Sequence, residues 1–224
     1  MEILLVLNGY YSAMAMVLNT AGMPLPDNAI FTLSKAMAKL AAYETPIKLL
    51  PIQRQFFATL AKTSTGPLAE AFKVVSSTNP DKAALARADK LISRDPLLHS
   101  LLRDTIAPVI LNGGFRSNVI PGSAEAQINL RLIPGTDANA VVADLQRVIN
   151  DPAVTVRTAN PITAPVGLAP SNLDTDLYRA LVTHARATFP GAEVTPYLFQ
   201  AGTDAGAWRS RGIPVYGIYP YPIT

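Results

Sequence analysis

The strongest structural signal in the sequence is an alternation of apolar and polar residues over Ala124–Ile133. Every second residue from Ala126 to Leu132 is apolar, and the residues between them are polar and end at Arg131. A period of two with one polar face is the pattern of a strand that buries one side and leaves the other accessible. The segment therefore predicts a half-buried antiparallel sheet.

Helix and strand patterns on both sides of this segment complete one structural unit. Helices are expected after Asp27 and after Thr136 or Asp137, where a side chain can cap the first turn. Strands are expected at Ile3–Leu7, Ile106–Leu111, Ala124–Ile133 and Val154–Thr158. The order strand, helix, strand, strand, helix, strand predicts an α+β fold. It is a ferredoxin-like domain, with two helices on one face of a four-stranded antiparallel sheet.

A helical insertion is predicted over residues 46–104, because four prolines cut this stretch into short helical pieces. The pieces are expected at Gln53–Ala61, Pro67–Ser76, Asp81–Ser93 and Leu97–Asp104. The predicted domain order is an atypical apolar segment at 1–22, the ferredoxin-like domain at 23–159, a proline-rich linker at 160–171, and a partial α/β segment at 172–224.

The partial α/β segment has too few predicted strands to form a sheet of its own. A helix is expected from a cap at Asp174 to about Thr188, and a short helix at Thr203–Arg211. Strands are expected at Glu193–Phe199 and Val215–Tyr219. Such a run normally belongs to a larger α/β sheet. We therefore expect this segment to dock on the rest of the chain, to pair with another copy, or to be poorly ordered.

Composition excludes several kinds of chemistry. The chain has no cysteine and its only histidines are His99 and His184. This removes disulfides, thiolate metal sites, a cysteine nucleophile and a zinc site built from several histidines. A net charge of +3 and 7% aromatic residues disfavour a nucleic-acid surface. The clean apolar runs are far shorter than the roughly 20 residues of a membrane helix. We therefore expect a soluble protein, cytoplasmic or periplasmic, that binds neither nucleic acid nor a membrane.

The usual nucleophile motifs are missing from the sequence. It contains no G-x-S-x-G, no S-x-x-K, no H-x-x-x-H and no phosphate-binding loop. A metal-independent, esterase-like hydrolase would have to use His99 or His184 with a nearby serine and an acidic residue. Nothing in the spacing positions such a triad, so this stays an alternative, and both histidines are interpreted as packing or surface residues.

Three polar groups are candidates for ligand binding. Asn118 lies just before the alternating strand, and Arg131 lies on its polar face, where a guanidinium can hold a carboxylate through two hydrogen bonds. Gly202, Thr203 and Asp204 combine a flexible glycine with a helix start, which offers free N–H groups. A solvated sheet face and ordinary helix capping are the competing interpretations.

Several ordered motifs resemble one family, the dinuclear-zinc carboxypeptidases and aminoacylases, nearest to its carboxypeptidase S branch. They are Arg116–Ala126, Ile128–Gly135, Gly202–Ala205 and Gly212–Ile218, within a similarity from about Met23 to Pro220. The resemblance implies a ferredoxin-like lid or dimerisation domain inserted into a zinc-binding α/β domain. It implies that Asn118 and Arg131 bind the terminal carboxylate of a substrate, and that Gly202–Asp204 borders the cleft. It also implies a homodimer and a small peptide or N-acyl amino acid ligand.

The sequence departs from this family at its metal ligands. The family's His-x-Asp pair, its Glu-Glu pair and its further ligands have no counterpart here, and Asn19–Gly22 stands where the family has a histidine. We therefore expect a truncated member that keeps the carboxylate-binding and dimerisation part. It would hold no cofactor in this chain, although the family uses two zinc ions, and would be inactive as a zinc hydrolase. A dimerising interaction module is the other alternative.

Overall fold

A computed structural model describes residues 2–6, 27–159, 169–200 and 202–218, with only the backbone described for 2–6. The chain divides into two compact units. The first comprises residues 1–46 and 104–167, and the second comprises 47–103 and 168–224. Each unit is described by itself.

Helices and strands both contribute to the structure, so the mixed helix and strand class is confirmed. The strands are β1 (Glu2–Val6), β2 (Thr105–Gly113), β3 (Ala124–Arg131) and β4 (Thr155–Thr158). The helices are α1 (Ala29–Ala41), α2 (Pro51–Thr63), α3 (Gly66–Ser76), α4 (Lys82–Ile92), α5 (Pro96–Ser100), α6 (Ala138–Ile149), α7 (Asp176–Thr188) and α8 (Ala205–Arg209).

The four strands of the first unit form one sheet in the order β2-β3-β1-β4. Each neighbouring pair is antiparallel, and the register places Ile3 beside Ile128 and Gly113 beside Ala124. The pairing of β2 with β3 shifts at a bulge between Pro108 and Ile110. Within this sheet, β1 occupies a central position and β2 and β4 are the edges.

Strand β3 alternates as the sequence predicts. Its residues with even numbers are buried, and those with odd numbers are half-buried up to the exposed Arg131. The buried side packs against α1 and α6, which contribute Leu33, Leu40, Leu145 and Ile149 to one core. Side chains spaced along one face of each helix meet the apolar face of the sheet, so the local periodicity also determines the packing.

Polar contacts join α1 to α6 at the edge of this core. The Lys39 ammonium donates to the carbonyl of Ile149, and the Tyr43 hydroxyl donates to the carboxylate of Asp144, which also pairs with Arg147. Burial and the hydrogen bond to Asp144 raise the pKa of Tyr43 to about 12. The hydrogen bond from Tyr43 lowers the pKa of Asp144. The charge of Arg147 acts in the same direction, and partial burial acts against both.

Helices α2–α5 in the second unit surround a separate core. Its fully buried side chains include Phe57, Phe72, Val75, Ile92 and Leu102. The buried Gln53 receives a hydrogen bond from the Leu50 N–H at 2.7 Å and donates to the Leu101 carbonyl. The Lys48 N–H donates to the Leu102 carbonyl at 2.8 Å, so the two ends of this helical stretch lie side by side.

The two strands predicted in the C-terminal segment are wrong over the residues that the structure describes. Residues 193–199 and 215–218 form no strand. The second of these stretches is held by single contacts instead: the Val215 N–H donates to the Ser171 hydroxyl at 2.9 Å, and the Thr175 and Tyr216 hydroxyls are 2.7 Å apart. A strand needs a neighbour that supplies a hydrogen-bonded ladder, and no such neighbour lies beside these stretches among the described residues.

Two predicted helix caps shift by one residue. Asn28, not Asp27, caps α1, because its extended backbone lets its carboxamide oxygen accept from the Ile30 N–H at 2.9 Å. Thr175, not Asp174, caps α7, since its hydroxyl accepts from the Tyr178 N–H at 3.1 Å.

Most of the predicted linker, residues 160–168, lies outside the described residues. In the part of the chain that is described, no helix has the length and apolar character needed to cross a membrane.

Candidate substrate-binding site

The loop between β2 and β3 carries Asn118. Residues 114–118 are exposed, and the loop turns where the Val119 N–H donates to the Arg116 carbonyl at 3.4 Å. Gly114 begins it with a φ of +79°, a left-handed conformation that glycine adopts without steric cost. The Asn118 carboxamide is therefore presented on a turn at the Gly113 end of the sheet.

A cavity of about 410 Å³ lies beside this loop and the first turn of α1. Its lining combines apolar side chains with three polar ones, Asn28, Arg116 and Ser117. The apolar lining residues are Ile30, Phe115, Val119, Ile120 and Pro121. None of the described residues that line it is acidic. A pocket of this size with one cation and an apolar wall suits a small ligand that carries a negative charge.

Gly113 allows α1 to approach the sheet at this cavity. A Cβ atom on Gly113 would lie 3.2 Å from Cγ1 of Ile30 and 3.4 Å from Cβ of Ala124. Those separations are tighter than ordinary van der Waals contact, so a side chain here would push Ile30 outward. The absence of a Cβ thus determines the shape of the cavity wall.

Arg131 lies far from Asn118 within one chain. Arg131 ends β3 and is opposite Thr105, whereas the loop with Asn118 leaves the Gly113 end of the same strand pair. At about 3.4 Å for each residue, the two ends of β3 are roughly 24 Å apart. The structure therefore does not bring the two predicted carboxylate ligands together in one copy.

Gly202, Thr203 and Asp204 lie in the second unit, and all three are exposed. The Asp204 side chain accepts no capping hydrogen bond from a described residue, and the Ala205 N–H donates to the Thr203 hydroxyl at 3.3 Å. Gln200 lies just before this loop, and its side-chain amide donates to the Leu97 carbonyl at 2.9 Å. The predicted helix start is present, and α8 is only 5 residues long.

The two histidines lie on different helices of the second unit. His99 is half-buried on α5 and His184 is exposed on α7, and neither imidazole has a hydrogen-bond partner among the described residues. The described ranges contain no group of three or more His, Cys, Asp or Glu side chains that could hold a metal ion. The donor set that the structure describes therefore does not fit a zinc centre.

Sequence reasoning missed the cavity residues Asn28, Phe115 and Arg116. Arg116 belongs to a motif that the sequence singled out, but its role as the cation of the cavity depends on the position of α1. Asn28 carries no signal beyond that of a helix cap. Only the packing of the first turn of α1 against Gly113 brings these side chains together.

Comparison with known proteins finds relatives over most of the chain. The profile of M20_dimer, the Peptidase dimerisation domain, matches residues 23–157. Probable carboxypeptidase S-like 2 of Dictyostelium discoideum is 29% identical over 184 residues, which are 82% of this chain and 34% of that protein. N-fatty-acyl-amino acid synthase/hydrolase PM20D1 of Mus musculus is 27% identical over 136 residues, which are 60% of this chain and 27% of that protein.

A solved structure is also similar. An M20 family metallo-carboxypeptidase of Sulfolobus solfataricus aligns with 92% of this chain and 53% of its own, at 14% identity and a TM-score of 0.47. The chain spans about a third of the length of the curated relatives that it matches.

Proposed function

Because this chain belongs to the M20 family of peptidase dimerisation domains, we propose that it is the carboxylate-binding and dimerising part of a hydrolase of this family. The observation that carries the proposal is the family match over residues 23–157, which includes both Asn118 and Arg131. The ligand that we propose is a small peptide or N-acyl amino acid. Its terminal carboxylate would be bound by Asn118 and Arg131, and the loop Gly202–Asp204 would border the cleft.

We propose that residues 23–159, completed by β1, form a ferredoxin-like lid. The strand order β2-β3-β1-β4 and the packing of α1 and α6 on one face support this assignment. Residues 172–224 would then be a partial α/β segment joined to the lid by the linker 160–171. In this arrangement the loop with Asn118 would belong to the lid.

Edge strand β2 is the surface that we propose for dimerisation. It carries no charged residue, and Val109, Ile110 and Leu111 are 56%, 44% and 62% exposed. Phe31 of α1, a helix that contacts β2, is 64% exposed. The other edge, β4, is only 4 residues long and carries Arg157, a combination that discourages strand pairing. Pro108 and the bulge interrupt this edge at one point, and the unpaired apolar residues on either side of it favour pairing with a second copy.

Antiparallel pairing of two β2 strands would also explain the separation of Asn118 and Arg131. In such a dimer the Gly113 end of one β2 lies beside the Thr105 end of the other. Arg131 pairs with Thr105 in its own copy. Gly113 of one copy and Arg131 of the partner subunit would then be about two strand spacings, roughly 10 Å, apart, and Asn118 follows Gly113 on the loop. Each carboxylate would be bound by residues of both copies.

This two-copy site is tested with the variants Asn118→Ala and Arg131→Ala and with N-acetylleucine as the ligand. We expect each variant alone to lose binding in calorimetry, because each has lost one ligand from both sites. A mixture of the two should regain part of the binding, since a mixed dimer contains one site with both residues intact. A mixture that binds no better than either variant contradicts the shared site.

The dimer surface has its own test in sedimentation. Ile110→Lys places a charge on the β2 edge and should convert the dimer to a monomer, whereas Thr155→Lys on the β4 edge should leave it intact. A wild-type chain that sediments as a monomer at all concentrations refutes the dimer, and equal effects of the two variants refute the choice of edge.

We also propose that these 224 residues by themselves do not hydrolyse amides with zinc. The described donor set does not fit a metal centre, and metal-assisted hydrolysis needs a Lewis acid or a metal-activated water. Purified protein is assayed for N-acyl amino acid cleavage with added zinc. We expect no turnover. Turnover that a chelator abolishes would contradict the proposal.

A further inference from the structure

The cavity beside the loop between β2 and β3 has two walls. One wall is the loop itself, whose ends meet because Cγ of the buried Pro121 lies 3.8 Å from where a Cβ on Gly114 would be. The other wall is the start of α1, which contributes Asn28 and Ile30. Every described lining residue belongs to the first unit, so these walls are complete within one copy of the chain.

Three polar side chains of this lining have hydrogen-bond donors that no described residue accepts. The Arg116 guanidinium forms neither an ion pair nor a hydrogen bond within the described ranges, and the Ser117 hydroxyl has no partner there. The Asn28 carboxamide uses only its oxygen, which accepts from the Ile30 N–H at 2.9 Å. Guanidinium, hydroxyl and amide N–H groups all donate to carboxylate oxygens, so this set of donors suits a carboxylate.

Two acidic residues lie near the cavity along the chain but do not line it. Asp27 precedes the cap of α1, is exposed, and reduces the positive potential that a ligand would meet. Glu125 accepts from the Asn112 amide at 3.0 Å. It follows the buried Ala124 on β3, so strand alternation places it on the face of the sheet opposite α1. Arg116 is therefore the only charged side chain among the described lining residues.

The rest of the lining is apolar and partly open to solvent. Phe115 is 78% exposed and Ile30 is 40% exposed, and Val119, Ile120 and Pro121 continue the same wall. A ligand with a hydrocarbon group would remove this apolar surface from water. A free ammonium group would find no acidic partner in the described lining, and a small inorganic anion would leave the apolar wall uncovered.

We propose that this cavity binds an aliphatic monocarboxylic acid, with its carboxylate on Arg116 and its hydrocarbon tail on the apolar wall. Ser117 and Asn28 supply further donors to the carboxylate. The site goes beyond the proposed function, because it is complete in one copy and uses neither Asn118 nor Arg131 as a ligand.

The first test titrates the full chain in a calorimeter with three probes of equal length: hexanoate, hexan-1-ol and hexylammonium. We expect hexanoate to bind most tightly and hexylammonium least tightly. Butanoate should bind more weakly than hexanoate, by up to about fourfold for each methylene that it lacks. Equal binding of the three six-carbon probes, or of the two acids, would overturn the proposal. These comparisons need no variant to fold.

The second test changes the cation of the cavity. Arg116→Gln should weaken hexanoate binding by up to about fivefold and leave hexan-1-ol binding unchanged. Arg157→Gln removes the same charge from an exposed position on β4 and should have no effect. Asp27→Asn should strengthen hexanoate binding, since a like charge is removed from the neighbourhood. Equal losses in the two arginine variants, or weaker binding in Asp27→Asn, would contradict the assignment of the carboxylate to Arg116.

Arg131→Ala separates this site from the proposed two-copy site. It should lose N-acetylleucine binding and keep hexanoate binding, because the cavity does not include Arg131. If N-acetylleucine does not bind to the unmodified chain while hexanoate binding depends on Arg116, the proposed function fails and the cavity site stands. If hexanoate binding is lost in Arg131→Ala and unchanged in Arg116→Gln, the acid occupies the two-copy site and this inference is wrong.

Discussion

At the scale of single residues, the first unit depends on a few contacts between elements that are distant in sequence. Gly113 lets Ile30 of α1 lie against the end of β2, and Tyr43 after α1 is hydrogen-bonded to Asp144 of α6. Each of these positions holds a residue type that the contact requires. A glycine leaves room for a neighbour, and a hydroxyl donates to a carboxylate that would otherwise lose hydration.

The contact of Gly113 with Ile30 predicts an energetic coupling. Gly113→Ala adds a Cβ at 3.2 Å from Ile30 Cγ1 and should cost about 1 kcal/mol through overpacking. In an Ile30→Ala background the same change should become neutral or stabilising, since the crowding atoms are gone and alanine restricts the unfolded chain. Urea denaturation of the unmodified chain, the two single variants and the double variant gives four free energies of unfolding, and their departure from additivity measures the coupling.

Gly114→Ala serves as the control. Its positive φ makes any side chain strained, and its nearest neighbour at 3.8 Å is Pro121, so Ile30→Ala should not rescue it. Strictly additive effects of Gly113→Ala and Ile30→Ala would show that the close contact is unimportant.

The pKa of Tyr43 predicts an alkaline loss of stability. Folding raises this pKa from 10.0 to about 12, so the folded state favours the neutral phenol. The resulting stabilisation is complete below pH 10 and is lost as pH rises from 10 towards 12. Tyr43→Phe should cost about 1 kcal/mol at neutral pH and flatten this alkaline decline. Urea unfolding of the unmodified chain and of Tyr43→Phe from pH 10 to pH 12 tests this prediction. If the free energy of unfolding falls equally steeply in the variant, Tyr43 is not the cause of the decline.

At the scale of elements, β1 is the part of the sheet that the family match does not include. The match begins at residue 23, yet β1 lies between β3 and β4 and pairs with both. Without it, β3 and β4 would each lack a neighbour on the inner side of the sheet. The short segment at the beginning of the chain therefore completes the sheet on which α1 and α6 pack.

A proline in β1 should consequently be costly. Leu4→Pro removes a backbone N–H at the centre of an inner strand, and an unsatisfied buried carbonyl costs about 1–3 kcal/mol. Glu2→Pro, at the first residue of the strand, is the control and should be tolerated better. Thermal unfolding of the two variants measures the difference. Equal midpoints would mean that β1 does not occupy the central position.

At the scale of the whole molecule, the two units carry different roles in our proposals. The first contains the sheet edge for a second copy and the loop with Asn118, and the second contains the loop Gly202–Asp204. Dimerisation and ligand binding would depend on one another, because each proposed carboxylate site takes residues from both copies. Ile110→Lys should therefore weaken the binding of N-acetylleucine in calorimetry as well as the dimer, although Asn118 and Arg131 remain intact.

The sequence by itself determined the local elements of this protein. The alternation of Ala124–Ile133 identified β3, and spaced apolar residues with capping side chains identified the helices, because a repeat of two or 3.6 residues is a property of neighbours along the chain. Only the tertiary structure decided which elements meet. It left the predicted strands at 193–199 and 215–218 without a ladder, separated Asn118 from Arg131 along β3, and brought Asn28 and Arg116 to one cavity. Hydrogen-bonded pairing and packing join residues far apart in the chain, and no local pattern records their partners.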